Sequence, residues 1–336
     1  MIDLHLHLDG SLSAEEILDL AARSGITLPR AEAASLLPLL QVEPDCRDLS
    51  EYLQKFDLPL QVLQTEETLS LSVSCLVKRL ESQGLCYAEI RFAPQLHLAR
   101  GLTQQQVVAA AVDGLRKGTA KTGMPAQLIL CCMRGNTNWA ANLETVRTAK
   151  TFLGSGVCAF DLAGNEATFP TKDFAPIFDL AKALDVPYII HAGEAAGPES
   201  VREALALGAG RIGHGIHSID DPALLALLAE KRTPLETCFT SNLQTRAVTD
   251  PAQYPLAEYL RRGIPATVNT DNMTVSGTDL RREYFLLHQL GFSEDTLRSI
   301  ACNAADAAFV TTAEAAQLKE QINARFSLWL NQERSF

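Results

Sequence analysis

The 336-residue chain has no excess of basic charge; its formal net charge is −11. That balance argues against nucleic acid or an anionic membrane as the main partner, because both select basic surfaces. It has no CxxC pair among its eight cysteines, Cys46, Cys75, Cys86, Cys131, Cys132, Cys158, Cys238 and Cys302, so a thiolate zinc site finds little support. Most of them sit in apolar runs, where cysteine behaves as a small hydrophobe. No apolar stretch reaches the roughly 18 residues of a membrane-spanning helix. The first residues lack the basic-then-apolar order of a secretion leader. The expected setting is therefore reducing and cytoplasmic. A Pro-rich linker, low-complexity tract and long-period repeat are also missing, and a single domain over 1–336 is expected.

What the sequence does contain is alternation. Short β-like runs lie at 2–8, 87–93, 127–133, 157–163, 188–193, 211–215, 235–239 and 266–270. Between them, apolar residues recur at three- and four-residue spacing over 104–121, 139–151, 173–184, 198–207 and 222–231, the signature of amphipathic helices. Repeated βα units imply a parallel sheet covered by helices, and eight of them suggest a (β/α)8 TIM barrel. An open doubly wound sheet is the rival, but no GxGxxG follows the first run. The long, helix-patterned stretch after strand 1 reads as a cap over the barrel mouth, within about 10–85, and 279–332 reads as further helices.

Polar residues punctuate the strand ends. In a strand, residues two apart share a face, so His5 and His7 project together with Asp3 beneath them, while Ile2, Leu4, Leu6 and Leu8 face the helices. Two adjacent imidazoles suit a divalent metal such as zinc; taken alone, the pair reads equally well as polar core. His191 closes the fifth run with Glu194 just beyond it, His214 ends the sixth between two glycines, and Asp271 follows the eighth. All fall at C-terminal strand ends of one barrel, where active sites of this architecture are built. His5, His7, His191 and Asp271 would give a metal nitrogen and oxygen ligands with room for a water, leaving Glu194 and His214 as acid–base partners. The set points to metal-assisted hydrolysis.

HLHLDGS (5–11), YAEIRFAPQLH (87–97), FDLAGNE (160–166), HAGE (191–194), RIGHGIHS (211–218) and NTDN (269–272) together resemble the adenosine deaminase family, in its order and over nearly the whole chain. The resemblance implies a zinc-dependent barrel, with one zinc per chain, that hydrolyses the 6-amino group of adenosine or 2′-deoxyadenosine through a zinc-activated hydroxide attacking purine C6. It implies His5, His7, His191 and Asp271 as zinc ligands and Glu194 as the donor to purine N1. His214 would orient the hydroxide and, with Asp271, stabilise the oxyanion. Gly164 resembles the backbone donor to N3, where a side chain would push the base away, and Asp9 the partner of the ribose 5′-hydroxyl, with His7 nearby. Leu49, Tyr52, Leu53 and Phe56, at helical spacing in DLSEYLQKFD (48–57), resemble an apolar gate; the same spacing also suits plain core packing.

Two departures bear on substrate. Asn272 stands where many members carry a second Asp facing N7; its amide donates without needing a proton. Gly135 follows Met133-Arg134 where animal enzymes have His, which leaves more room or marks a different loop. The expected partner is a small purine nucleoside. Another 6-aminopurine (adenine, a 5′-modified adenosine or aminodeoxyfutalosine) is the alternative substrate, and a catalytically silent purine-binding protein the alternative class. A related superfamily uses two metals and a carboxylated lysine on the fourth strand; VCAFDLA (157–163) has no lysine, which favours one metal.

Overall fold

The computed structural model describes residues 1–332. Eight parallel strands, β1 (Ile2–His7), β2 (Tyr87–Phe92), β3 (Ala126–Met133), β4 (Val157–Ala163), β5 (Tyr188–Ala192), β6 (Arg211–His214), β7 (Leu235–Thr237) and β8 (Ala266–Val268), follow one another around a sheet in chain order. The ring is drawn shut where β1 meets the residues just after β8. There the Asp271 amide donates to the His5 carbonyl, and the His7 amide donates to the Asp271 carbonyl, each at 2.7 Å. The result is the expected (β/α)8 barrel.

The strands are buried on both faces, as a sheet wrapped by helices requires. Leu4, Leu6 and Leu8 join the main hydrophobic core, while Asp3 turns inward and accepts from the Thr270 hydroxyl at 2.6 Å. Outer helices Gln104–Thr122, Trp139–Phe152, Ala175–Ala183, Pro198–Leu207 and Pro222–Lys231 fall close to where the apolar spacing puts them. The first shows how local chemistry fixes the ends. Thr103 and Gln106 form a capping box at its start, and Gly123 takes the left-handed conformation at its end.

The stretch between β1 and β2 divides in two. Its last helix, Glu66–Ser82, packs in the outer ring against Gln104–Thr122. The approach is so close that a Cβ on Gly114 would lie 2.2 Å from the Ser70 carbonyl oxygen. Part of what spacing assigned to a cap is therefore barrel wall. Over the mouth lie the short helix Leu49–Leu53, a 3-10 turn at Gln54–Phe56 and the helix Asp57–Val62. At the tail, helices Leu280–Gln289, Glu294–Ala307 and Thr312–Leu330 complete the shell.

The barrel interior carries a layer of charge. Glu89, Arg91, Asp161, Arg211 and Glu236 are all essentially inaccessible to solvent. Arg91 Nη1 donates to Asp161 Oδ2 at 2.7 Å, and its Nη2 donates to Glu236 Oε2 at 2.8 Å. Arg211 Nε donates to Glu236 Oε1 at 2.6 Å, and its Nη1 reaches the Ala307 carbonyl at 2.7 Å. Buried charges are costly unless paired and hydrogen-bonded, and each charge here has at least one ion-pair partner, Glu89 being paired with Arg211 Nη2. The layer forms the floor on which the site rests.

Candidate active site

The strand-end polar residues converge above that floor. His5 Nε2 lies 3.6 Å and His7 Nε2 3.4 Å from Asp271 Oδ1. The His5 ring centroid is 4.5 Å from that of His191 and 4.8 Å from that of His214. Both His214 (φ 61°) and Asp271 (φ 59°) hold left-handed backbone conformations, uncommon outside glycine. Such conformations persist where surrounding contacts over-determine them. Glu194 lies in the turn after β5, with its Oε2 3.5 Å from His214 Nε2.

Four of the converging groups have a partner behind them that the sequence reading missed. Glu236 Oε2 sits 2.9 Å from His5 Nδ1. Asp161 Oδ2 sits 2.8 Å from His191 Nδ1, off the axis of the ring N–H, as a charge contact rather than a directed hydrogen bond. Ser241 Oγ donates to Asp271 Oδ2 at 2.6 Å, and Asn242 Nδ2 lies 3.0 Å from His214 Nδ1. Arg91 ties the Asp161 and Glu236 carboxylates together from below.

The residues fit a metal ion. His5 Nε2 is fully buried without a hydrogen-bond partner among the described residues, a position a ligating nitrogen would explain. Donors about 2.0–2.1 Å from a tetrahedral zinc stand roughly 3.4 Å apart, close to the two histidine–Asp271 separations. Burial pushes the Asp271 carboxyl up, but the neighbouring His5, His214 and His7 outweigh it and hold the group below the ordinary carboxylate range. Three overlapping triads have metal-binding proximity among the described residues: His5, His7 and Asp271; His5, His191 and His214; and Glu194, His214 and Asp271. The four residues named from sequence are thus split between two triads that share His5.

A cavity opens beside this cluster. Its polar side includes His7, Asp9, Glu194, His214, Asp271 and Asn272; Leu49, Tyr52, Leu53 and Phe56 face it from the mouth segment. Asp9 Oδ1, Glu194 Oε1 and Asn272 Oδ1 are buried there without partners among the described residues, which marks the wall as built for a polar ligand. Burial, and then the charges of Asp271 and Glu166, push the Glu194 carboxyl well above its usual range. Burial raises Asp9 to about 6. Tyr52 and Leu49 also belong to a small apolar cluster with Cys46 and Val275, so the mouth residues both pack and line.

Three glycines clarify the walls. Gly164 lines the cavity at φ 104°, and a Cβ there would meet the Arg134 amide nitrogen at 3.3 Å, so backbone conformation as well as clearance requires glycine. Gly135 lies outside the lining, and the Asn138 side chain fills the space beside it; its small size does not enlarge the cavity. Gly10, overlooked in the sequence, allows Asn272 its place: a Cβ on Gly10 would come 1.9 Å from Asn272 Oδ1.

The turn carrying Glu194 is pinned by Glu166. That carboxylate accepts from the amides of Gly193 (2.6 Å), Glu194 (3.0 Å), Ala195 (2.9 Å) and Ala196 (3.2 Å), and from the Ser200 hydroxyl. Charge-assisted bonds of this kind are the stronger class. Glu166 thereby joins the loop after β4, which holds Gly164, to the turn after β5.

The family model described as adenosine deaminase matches residues 1–325. A protein of Haemophilus ducreyi named adenosine deaminase is 50% identical over 333 residues, covering 97% of this chain and 96% of its own length. A protein of that name from Clostridium kluyveri is 39% identical over 331 residues, covering 98% and 93%. Among solved structures, an adenine deaminase of Arthrobacter aurescens superposes with a TM-score of 0.89 at 28% identity, covering 97% of this chain and 98% of its own. This chain is a member of the adenosine deaminase family.

Proposed function

We propose that the chain hydrolyses adenosine and 2′-deoxyadenosine to inosine and 2′-deoxyinosine, releasing ammonia. The observation that carries this is a buried carboxyl, Glu194, held beside a His/Asp cluster in one cavity. The choice of adenosine over adenine is supported by the named relatives at 50% and 39% identity, against 28% for the adenine deaminase structure. His5, His7, His191 and Asp271 would hold one zinc, an ion suited to imidazole and carboxylate donors. When bound, zinc supplies the Lewis acidity that lets water act as a nucleophile near neutral pH.

The chain's own groups do the rest. Glu194, kept protonated by burial and by nearby negative charge, passes its proton to purine N1 and leaves C6 electrophilic. His214 and Asp271 orient and stabilise the oxygen arriving at C6. Of the two protons of the incoming water, one goes to the amino group, which leaves as ammonia, and one restores Glu194. The oxygen stays on C6, and the N1 proton stays with the product. The Gly164 amide donates to N3, the Asn272 amide faces N7, and Asp9, with His7 nearby, receives the 5′-hydroxyl. Leu49, Tyr52, Leu53 and Phe56 cover the base and exclude water. A cytoplasmic setting suits eight free cysteines, and among the described residues no helix is long and apolar enough to cross a membrane.

The test is a ranking of kcat/KM across adenosine, 2′-deoxyadenosine, adenine and 5′-modified adenosines, a ratio that measures differential transition-state binding. Adenosine and 2′-deoxyadenosine are expected to lead, with ammonia equal to product. A higher ratio for adenine or a 5′-modified substrate would reassign the substrate, and no turnover with zinc supplied would end the enzymatic reading.

A further inference from the structure

Three imidazoles, His5, His191 and His214, lie close enough to share one ion, yet they are backed differently. Behind His5 and His191 stand carboxylates, Glu236 at 2.9 Å and Asp161 at 2.8 Å from Nδ1. A carboxylate is an acceptor only, so it favours the proton on Nδ1 and leaves a lone pair on Nε2. Behind His214 stands an amide. Asn242, fully buried, has its Nδ2 3.0 Å from His214 Nδ1.

The orientation of that amide follows from its other contacts. Asn242 Oδ1 accepts from the Cys238 backbone amide at 3.3 Å and from the Tyr254 hydroxyl at 3.2 Å. A backbone N–H is an obligatory donor, so a rotated amide would set N–H against N–H in a buried place. Asn242 therefore presents hydrogens to His214 Nδ1, which must accept. A neutral imidazole has a single N–H, and here it falls on Nε2, the nitrogen directed toward Glu194.

We propose that Asn242 is a positioning residue that fixes His214 in the Nε2–H tautomer. In that form His214 can be neither a metal ligand nor a base through Nε2 while its bond to Asn242 stands. It acts as a hydrogen-bond donor to the oxygen that arrives at C6. The partner behind each ring thus sorts the three imidazoles: His5 and His191 toward metal, His214 toward substrate. This rests on the reading that His214 faces the reacting carbon.

The test begins with wild-type protein labelled with 15N-histidine, metal-free and zinc-loaded. Long-range 1H–15N correlation should show His214 with an unprotonated Nδ1 and a protonated Nε2 in both. Asn242→Asp retains an acceptor for the Cys238 amide and Tyr254 hydroxyl but replaces the donor facing His214. It should move the His214 proton to Nδ1 and lower kcat about 10²-fold, the scale of losing one oxyanion donor, with KM within about twofold and zinc content unchanged. A proton on Nδ1 of wild-type His214 would overturn the proposal, as would a folded Asn242→Asp protein with undiminished kcat. If that variant does not fold, the wild-type spectrum decides alone. Wild-type turnover of adenosine, assayed alongside, fails separately if the functional reading is wrong.

Discussion

His5 and Asp271 meet twice, through the backbone and through the side chains. The Asp271 amide donates to the His5 carbonyl at 2.7 Å, and the His5 Nε2 and Asp271 Oδ1 atoms lie 3.6 Å apart. Three of the four proposed metal ligands, His5, His7 and Asp271, are therefore also the residues that shut the barrel ring. A metal held by these residues would tie the first strand to the segment that follows the last.

Metal removal should accordingly loosen the closure. A ligand bound only by the folded state adds about 2.7 kcal/mol at a free concentration 100 times its Kd. Chelation is expected to lower the melting midpoint, and zinc to restore it. Amide hydrogen exchange should rise at His7 and Asp271 in the metal-free protein. Equal melting and equal exchange with and without metal would refute this link.

Glu194→Gln removes the transferable proton and keeps the side chain's shape. The expected loss in kcat is about 10²–10⁴-fold, the usual contribution of a general acid. Zinc content should stay at one per chain, since Glu194 is not among the proposed ligands. Unaltered turnover would discard the role assigned to this carboxyl.

Gly10→Ala should act on the substrate edge through Asn272, whose Oδ1 would lie 1.9 Å from the added methyl. A fall in kcat/KM of at least about tenfold is expected, comparable to that of Asn272→Ala. Because both changes strike one contact, the double variant should lose little more than either single one. Simple additivity of the two losses would show that Gly10 works some other way.

Glu283 gives a pH dependence of stability away from the site. It is fully buried, accepts from the Thr240 amide at 3.0 Å, and burial raises its pKa from 4.5 to about 7. Between those values the folded state binds the proton and the unfolded state does not, so stability falls as pH rises through that window. The shift corresponds to about 3 kcal/mol. Urea denaturation at pH 5 and pH 8 should show Glu283→Gln losing less stability over this interval than the wild-type protein. Parallel losses in the two would exclude Glu283 as the titrating group.

Much of this architecture was legible in the chain because apolar runs and polar strand ends are local signals. IDLHLH and YIIHA carry their histidines in register with the strand period, and β1 and β5 form there. The supporting groups were harder to see because ring closure pairs them over long separations; Glu236 lies 231 residues from His5. A signal was nevertheless present. Glu89 and Arg91 in YAEIRFA, Asp161 in VCAFDLA, Arg211 in RIGHG and Glu236 in LETCF are charges inside otherwise apolar strands, which demands buried partners. Ser241 and Asn242 gave no comparable sign, since a polar pair after a strand reads as an ordinary turn. The helical spacing of 48–57 was visible, whereas its break into a helix, a 3-10 turn and a second helix was not.

Glu166 gives the cavity a mechanical asymmetry. One wall, the turn from Gly193 to Ala196, is clamped by four backbone N–H hydrogen bonds donated to a single carboxylate. The opposite wall consists of short helical pieces whose cavity contacts are mostly apolar. Apolar contacts are non-directional, so the directed ties of this wall are few, among them Tyr52 Oη to Ser276 Oγ at 2.7 Å and Asn165 Nδ2 donating to Ser50 Oγ at 2.9 Å. The polar wall thus serves as the datum from which the reacting groups are spaced, and any shift of the apolar wall would have to give up the Tyr52 and Ser50 bonds first.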